Sequence, residues 1–161
     1  MVLTRRAFLA AVPALSACGF TPVYGPDGPA RDLRGTIAVD DPRDEAGFAL
    51  VRALEDRLGL PTAPIYGLSA DIFVDEDELG ITPADQITRV NVLGAVNYRL
   101  VELATGTQAT GGRATGFTSY SATGTPVSTR SARRDARERL MVILADRIVS
   151  ELLATSPDWR A

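Results

Sequence analysis

Between Arg89 and Leu100 the chain alternates. Val90, Val92, Val96, Tyr98 and Leu100 fall on one parity, and Arg89, Asn91, Asn97 and Arg99 on the other. A period of two sustained over this length marks a strand with one buried face and one wet face. This constrains the fold more than any other feature, because a sheet with one apolar face needs an amphipathic layer to cover it. Ala104-Thr105-Gly106 then reads as a hairpin turn, so Gln108 to Tyr120 returns as an antiparallel strand. Its glycines and threonines specify register poorly, and Gly111-Gly112 reads as a bulge.

Two more strands and two helices complete the pattern. Thr36 to Val39 is a short strand with Ile37 and Val39 on one face. Ile65 to Val74 is another, with Leu68, Ala70, Ile72 and Val74 opposite Ser69 and Asp71. Asp41-Pro42 predicts a helix start, an acceptor at the cap followed by proline at the first helical position. Asp44 and Glu45 fall in the first turn, where negative charge suits the dipole. Phe48, Val51, Leu54 and Leu58 recur at helical spacing beside Leu50, and Gly59 and Pro61 end the run. Ser128 or Thr129 caps a long last helix whose apolar side holds Ala132, Ala136, Leu140, Ile143, Leu144, Ile148 and Leu152. Pro157 stops it and residues 157–161 form a tail.

The order strand, helix, three strands, helix predicts an α+β two-layer sandwich. A four-stranded mixed sheet is covered on one face by two helices, with one parallel crossover followed by an antiparallel meander. No internal repeat and no second domain is visible, and the folded body spans residues 34–156.

Composition removes several functions. All 17 positive charges are arginine, and the formal net charge is −3, which argues against a nucleic-acid binder. Without histidine there is no Ser-His-Asp arrangement. One cysteine excludes an intrachain disulfide and a thiolate zinc site. There is no phosphate loop and no dinucleotide fingerprint, so no cofactor is expected. Asp75 to Glu78 reads as an acidic, solvated connector whose spacing does not match a calcium loop. Asp71 and Asp75 share a face, as an acid and base would, only if a strand runs regularly through both, and no aromatics accompany them. Arg130, Arg134 and Arg137 share one side of the last helix and are the candidate contact for a phosphate-bearing ligand or a partner. Asp135 and Glu138 are interleaved, so Arg134 with Glu138 and Asp135 with Arg139 are expected as ordinary i,i+4 pairs on a solvated face.

The amino terminus carries the most specific signal. Arg5 and Arg6 precede an apolar stretch, Ala7 to Leu15, and the small residues Ser16 and Ala17. This three-part layout is that of an export signal over residues 1–17, and its apolar stretch is too short to span a bilayer. Thr4-Arg5-Arg6-Ala7-Phe8-Leu9 resembles the twin-arginine export pattern. Leu15-Ser16-Ala17-Cys18 resembles a bacterial lipobox, which implies cleavage between Ala17 and Cys18 and acylation of Cys18. Each buried methylene of such a chain contributes about 0.8 kcal/mol, and two or three chains anchor a protein firmly where one does not. Removal of residues 1–17 takes two arginines and no acid, leaving fifteen arginines against 20 acids, a net of −5. The Pro- and Gly-rich residues 18–33 then read as an extended leader between anchor and domain.

Cys18-Gly19-Phe20-Thr21-Pro22-Val23-Tyr24-Gly25 and the last helix, from Ala132 to Leu140 and on through Leu144-Ala145-Asp146-Arg147-Ile148, are similar to the LptE family. The resemblance implies a non-enzymatic lipoprotein on the periplasmic side of the outer membrane. It further implies that the chain sits within a large β-barrel, LptD, helps that barrel assemble, and assists delivery of lipopolysaccharide to the outer leaflet. Gly19 after the cysteine, in place of aspartate, suits outer-membrane sorting by analogy. The residues alone also allow a lipid-anchored periplasmic binding module or an auxiliary subunit of an envelope transporter.

Overall fold

The computed structural model describes Gly25, Gly28 and residues 33–81 and 87–160. In chain order the elements are β1 (Ile37–Val39), α1 (Glu45–Leu58), β2 (Tyr66–Ile81), β3 (Ile87–Glu102), β4 (Gln108–Ser121) and α2 (Pro126–Trp159). The strands lie in the order β1-β2-β3-β4. β1 runs parallel to β2, and β2, β3 and β4 are antiparallel neighbours. α1 and α2 pack against each other, and α2 also packs on β3 and β4. The expected α+β sandwich, with a four-stranded mixed sheet under two helices, is the observed one.

The alternation in β3 becomes the floor of the core. Val92, Val96 and Leu100 are fully buried, with Val90 and Tyr98 nearly so. Above them lie Leu140, Leu144, Ile148 and Leu152 of α2, and Leu50, Leu54 and Leu58 of α1. Each such leucine contributes about 1.5–3 kcal/mol when fully buried. Gly94 interrupts the valines on the inward side of β3 and stands opposite Gly116 of β4. A Cβ on Gly94 would lie 2.8 Å from Leu140 Cδ2 and 3.0 Å from Leu144 Cδ1, and one on Gly116 would lie 3.1 Å from Ile143 Cγ2. This glycine pair is the recess into which α2 settles.

Several local expectations shift. Asp44, not Asp41, caps α1, its carboxylate accepting from the Gly47 N–H at 2.7 Å. The buried face of α1 is Gly47, Leu50, Ala53, Leu54 and Leu58, and Phe48 is left 64 % exposed. Thr125, not Ser128 or Thr129, caps α2, with Pro126 at the first helical position. α2 buries a second row, Met141, Ala145 and Val149, beside the anticipated one, because it meets α1 as well as the sheet. Pro157 does not stop α2. Ser156 Oγ donates to the Leu153 carbonyl at 2.8 Å, the carbonyl that proline's missing N–H leaves open. Trp159 then closes the helix, its Nε1 donating to Thr155 Oγ1 at 3.2 Å and its ring edge-on to Tyr66 at 5.2 Å.

The sheet differs in two places. Asp75 to Glu78 is not a connector: β2 runs straight through it, pairing these residues with Leu93, Val92, Asn91 and Val90. Fifteen ladder pairs with β3 override the poor strand propensity of the acids. The β4 irregularity lies opposite Leu100 and Val101, which pair with Thr110 and Gln108, not at Gly111-Gly112. Gly112 serves another purpose, since a Cβ there would lie 2.8 Å from Tyr98 Oη, whose ring occupies that space.

Candidate functional site

The first turns of α1 and the first half of α2 leave a cleft of about 730 Å³ between them. Its apolar part is made by Ala46, Ala49 and Met141, with Phe48 on the lip. Arg52 of α1 and Arg130, Arg133, Arg134 and Arg137 of α2 complete the wall, with Glu45 and Glu138 as the acids. Five arginines against two carboxylates make this a positive region on a chain whose net charge is negative.

Two of these arginines are held by the far end of β2. After Leu68, Ala70, Ile72 and Val74, the inward parity of the strand brings in Glu76, whose side chain is only 14 % exposed. Arg133 donates to Glu76 Oε2 from Nε at 2.8 Å and Nη2 at 2.6 Å. Arg137 donates to Oε1 from Nε at 3.1 Å and Nη2 at 2.7 Å, and the Tyr120 hydroxyl donates to Oε2 at 3.2 Å. Burial pushes the Glu76 carboxyl up, but the hydrogen bonds and charges of the two arginines outweigh it and hold it below its ordinary value. Burial first, and then the charge of Glu76, push the Tyr120 phenol up. The carboxylate thus fixes two guanidinium groups in place while leaving them about half exposed.

The other three are less committed. Arg134 pairs with Glu45 across the helices, both well exposed, so the pair holds it weakly. Arg52 and Arg130 make no ion pair with any described residue. Planar forks of this kind bind phosphate or carboxylate oxygens two at a time, and the apolar wall beside them suits an aliphatic chain. The arrangement has the chemistry to suit an anion attached to a greasy body.

The structure brings Arg130, Arg134 and Arg137 together on this cleft, as their shared helix side implied. The expected Arg134–Glu138 pair is absent, because Glu45 on α1 reaches Arg134 instead, whereas Arg139 and Asp135 do pair. Sequence reasoning missed Arg52, and placed Phe48 on the apolar face of α1, where the structure leaves it exposed. It also missed Glu76, hidden in what read as a loop. Asp71 and Asp75 do share the open sheet face, separated by Phe73, but both are exposed, and Asp75 Oδ1 accepts the Glu76 N–H at 2.9 Å. Ala17 and Cys18 lie outside the described residues. Among the described residues no group of three His, Cys, Asp or Glu is placed to hold a metal ion, and no helix is long and apolar enough to cross a membrane.

Residues 34–152 match the family LptE, described as lipopolysaccharide-assembly. The chain belongs to the LptE family. No curated protein matches it closely enough to be compared. Among solved structures, a lipoprotein from Caulobacter crescentus superposes with a TM-score of 0.67 at 18% identity, covering 80% of this chain and 96% of that one. Rare lipoprotein B from Shewanella oneidensis gives 0.60 at 15% identity, over 78% and 98% of the two chains. A minor lipoprotein from Acinetobacter baumannii gives 0.55 at 15% identity, over 74% and 89%. At these identities the structures establish a shared fold, and the LptE match over most of the folded body establishes the family.

Proposed function

We propose that this LptE-family chain is an outer-membrane lipoprotein, anchored on the periplasmic side by acyl chains on Cys18 after cleavage behind Ala17. It seats within an LptD-type β-barrel, helps that barrel assemble, and supports passage of lipopolysaccharide to the outer leaflet. It performs no reaction of its own. The family match over residues 34–152 is the observation that carries this reading. The arginine-walled cleft supports the lipopolysaccharide contact: Arg52, Arg130 and Arg134 would meet phosphates, while Phe48 and Ala49 would meet acyl chain. A positive cleft on a negative chain draws such a ligand to one place rather than to the whole surface.

The ligand-sized cleft also fits a second reading, a lipid-anchored binding module serving an envelope transporter. Affinity purification from solubilised membranes separates the two. The first reading expects a large β-barrel protein to co-purify from the outer-membrane fraction. Recovery of an inner-membrane partner with no barrel would favour the second and overturn the first.

A further inference from the structure

A second, smaller cavity of about 350 Å³ opens beside the arginine-walled cleft, and Arg130 and Arg133 line both spaces. Val90 of β3, Tyr120 of β4 and Thr129 of α2 form much of its wall, and its acid is Glu78 of β2. The strand explains why that acid is there. Glu78 follows Glu76 on the helix-facing parity of β2 and pairs with Val90, which pairs in turn with Tyr120. Two residues of strand set it about 7 Å farther along the sheet than Glu76.

The two carboxylates are committed differently. Glu76 is nearly buried and holds Arg133 and Arg137. Glu78 is exposed, and its side chain makes no ion pair or hydrogen bond with any described residue. Residues 82–86, which continue the chain beyond β2, include no basic residue that could answer it. Arg130 also makes no ion pair with a described residue. One cavity is therefore bordered by a cation and an anion that do not pair with each other. A plain anion entering it would be attracted by the arginines and repelled by Glu78, and a plain cation the reverse. A phosphate that carries an amine on a short spacer answers both: its oxygens take the guanidinium forks and its ammonium donates to the carboxylate.

We propose that this cavity recognises a phosphate diester bearing a primary amine, the phosphoethanolamine group, on a lipid whose acyl chain lies in the larger cleft. The phosphate sits at Arg130 and Arg133, the boundary the two spaces share, and the ammonium reaches Glu78. The inference rests on the reading of the cleft as a lipid-phosphate site and adds a headgroup preference to it. The same group is found as the head of a phospholipid or as a substituent on a lipopolysaccharide phosphate, and the chemistry of the cavity suits either.

The test measures binding of the purified mature protein, in the presence of EDTA, to two pairs of probes. One pair is detergent micelles containing phosphatidylethanolamine or phosphatidylglycerol. The other is lipopolysaccharide with or without ethanolamine on its phosphates. A cleft acting through charge alone would favour phosphatidylglycerol and unsubstituted lipopolysaccharide, which carry the greater negative charge. The proposed site expects the reverse, with the ethanolamine form of at least one pair bound several-fold more tightly. A preference within the phospholipid pair identifies a phospholipid as the source, and one within the other pair identifies lipopolysaccharide. Glu78→Gln should remove the preference while binding of the amine-free probes and the circular dichroism stay unchanged, and Asp77→Asn, on the opposite face of the sheet, should keep it. Equal or inverted binding in both pairs would overturn the proposal and leave the cleft as an anion site, and so would a preference that survives Glu78→Gln. Binding of none of the probes would overturn the lipopolysaccharide contact itself, and this inference with it.

Discussion

Replacing Glu76 by glutamine isolates the interaction that ties the end of β2 to the arginines of the cleft. The amide keeps the shape and removes the charge that both Arg133 and Arg137 address. An exposed ion pair contributes at most about 1 kcal/mol, whereas orphaning one member of a buried pair costs about 3–5 kcal/mol. The Glu76 side chain is only 14 % exposed, but its two arginines are half exposed to solvent, so the cost should fall between these limits, at about 2 kcal/mol near neutral pH. The dependence on pH carries its own sign. Glu76 has a lower pKa folded than unfolded, so its contribution is complete above the ordinary value of 4.5 and is lost as pH falls through the lower folded value. Urea unfolding of wild type and Glu76→Gln at a series of pH values measures both. The difference in midpoint should be largest near neutrality and should shrink below pH 4.5 as wild type itself becomes protonated. Arg134→Gln, which removes an exposed pair, should shift stability by no more than about 0.5 kcal/mol at any pH. A Glu76→Gln penalty no larger than that control, or one that persists unchanged in acid, would refute the clasp.

Three further outcomes are expected. Gly94→Val drives a branched side chain into Leu140 and Leu144 and should cost at least about 1–3 kcal/mol in urea unfolding, while Gly106→Asn, at a turn with open space around it, should be near neutral. Combined Arg52→Glu and Arg130→Glu should leave thermal unfolding close to wild type, since neither side chain makes an ion pair, yet should weaken retention of lipopolysaccharide on the immobilised protein. Mass spectrometry of the mature amino terminus should find an acylated residue at Cys18, and Cys18→Ala should abolish both the modification and the membrane retention; an unmodified native terminus would remove the anchor from the account.

The fold was legible where a single period ran long. The alternation in β3 specified an amphipathic sheet, and the leucines of α2 specified the layer above it. Legibility failed where one residue type serves two contexts. Asp75 to Glu78 reads as a loop in isolation because its strand character comes from the partner β3, which no local pattern reveals. Pro157 reads as a stop because its rescue by Ser156 is a matter of side-chain geometry. Phe48 reads as inward because Phe48, Val51, Leu54 and Leu58 form an apolar stripe of their own, whereas packing buries the neighbouring stripe of Gly47, Leu50, Leu54 and Leu58. The candidate site was half visible. Arg130, Arg134 and Arg137 lie on one helix and could be grouped by spacing, whereas Arg52 and Glu76 join them only through the packing of α1 and β2.

The cleft between α1 and α2 is where this account places lipopolysaccharide, and a photo-crosslinking residue installed at Phe48 in living cells tests that placement. Immunoblotting with an antibody to lipopolysaccharide should reveal an adduct from position 48, and none from Leu103, which is also exposed but lies in the turn between β3 and β4. Adducts from Leu103 but not from position 48, or none from either in cells that assemble a normal outer membrane, would contradict it.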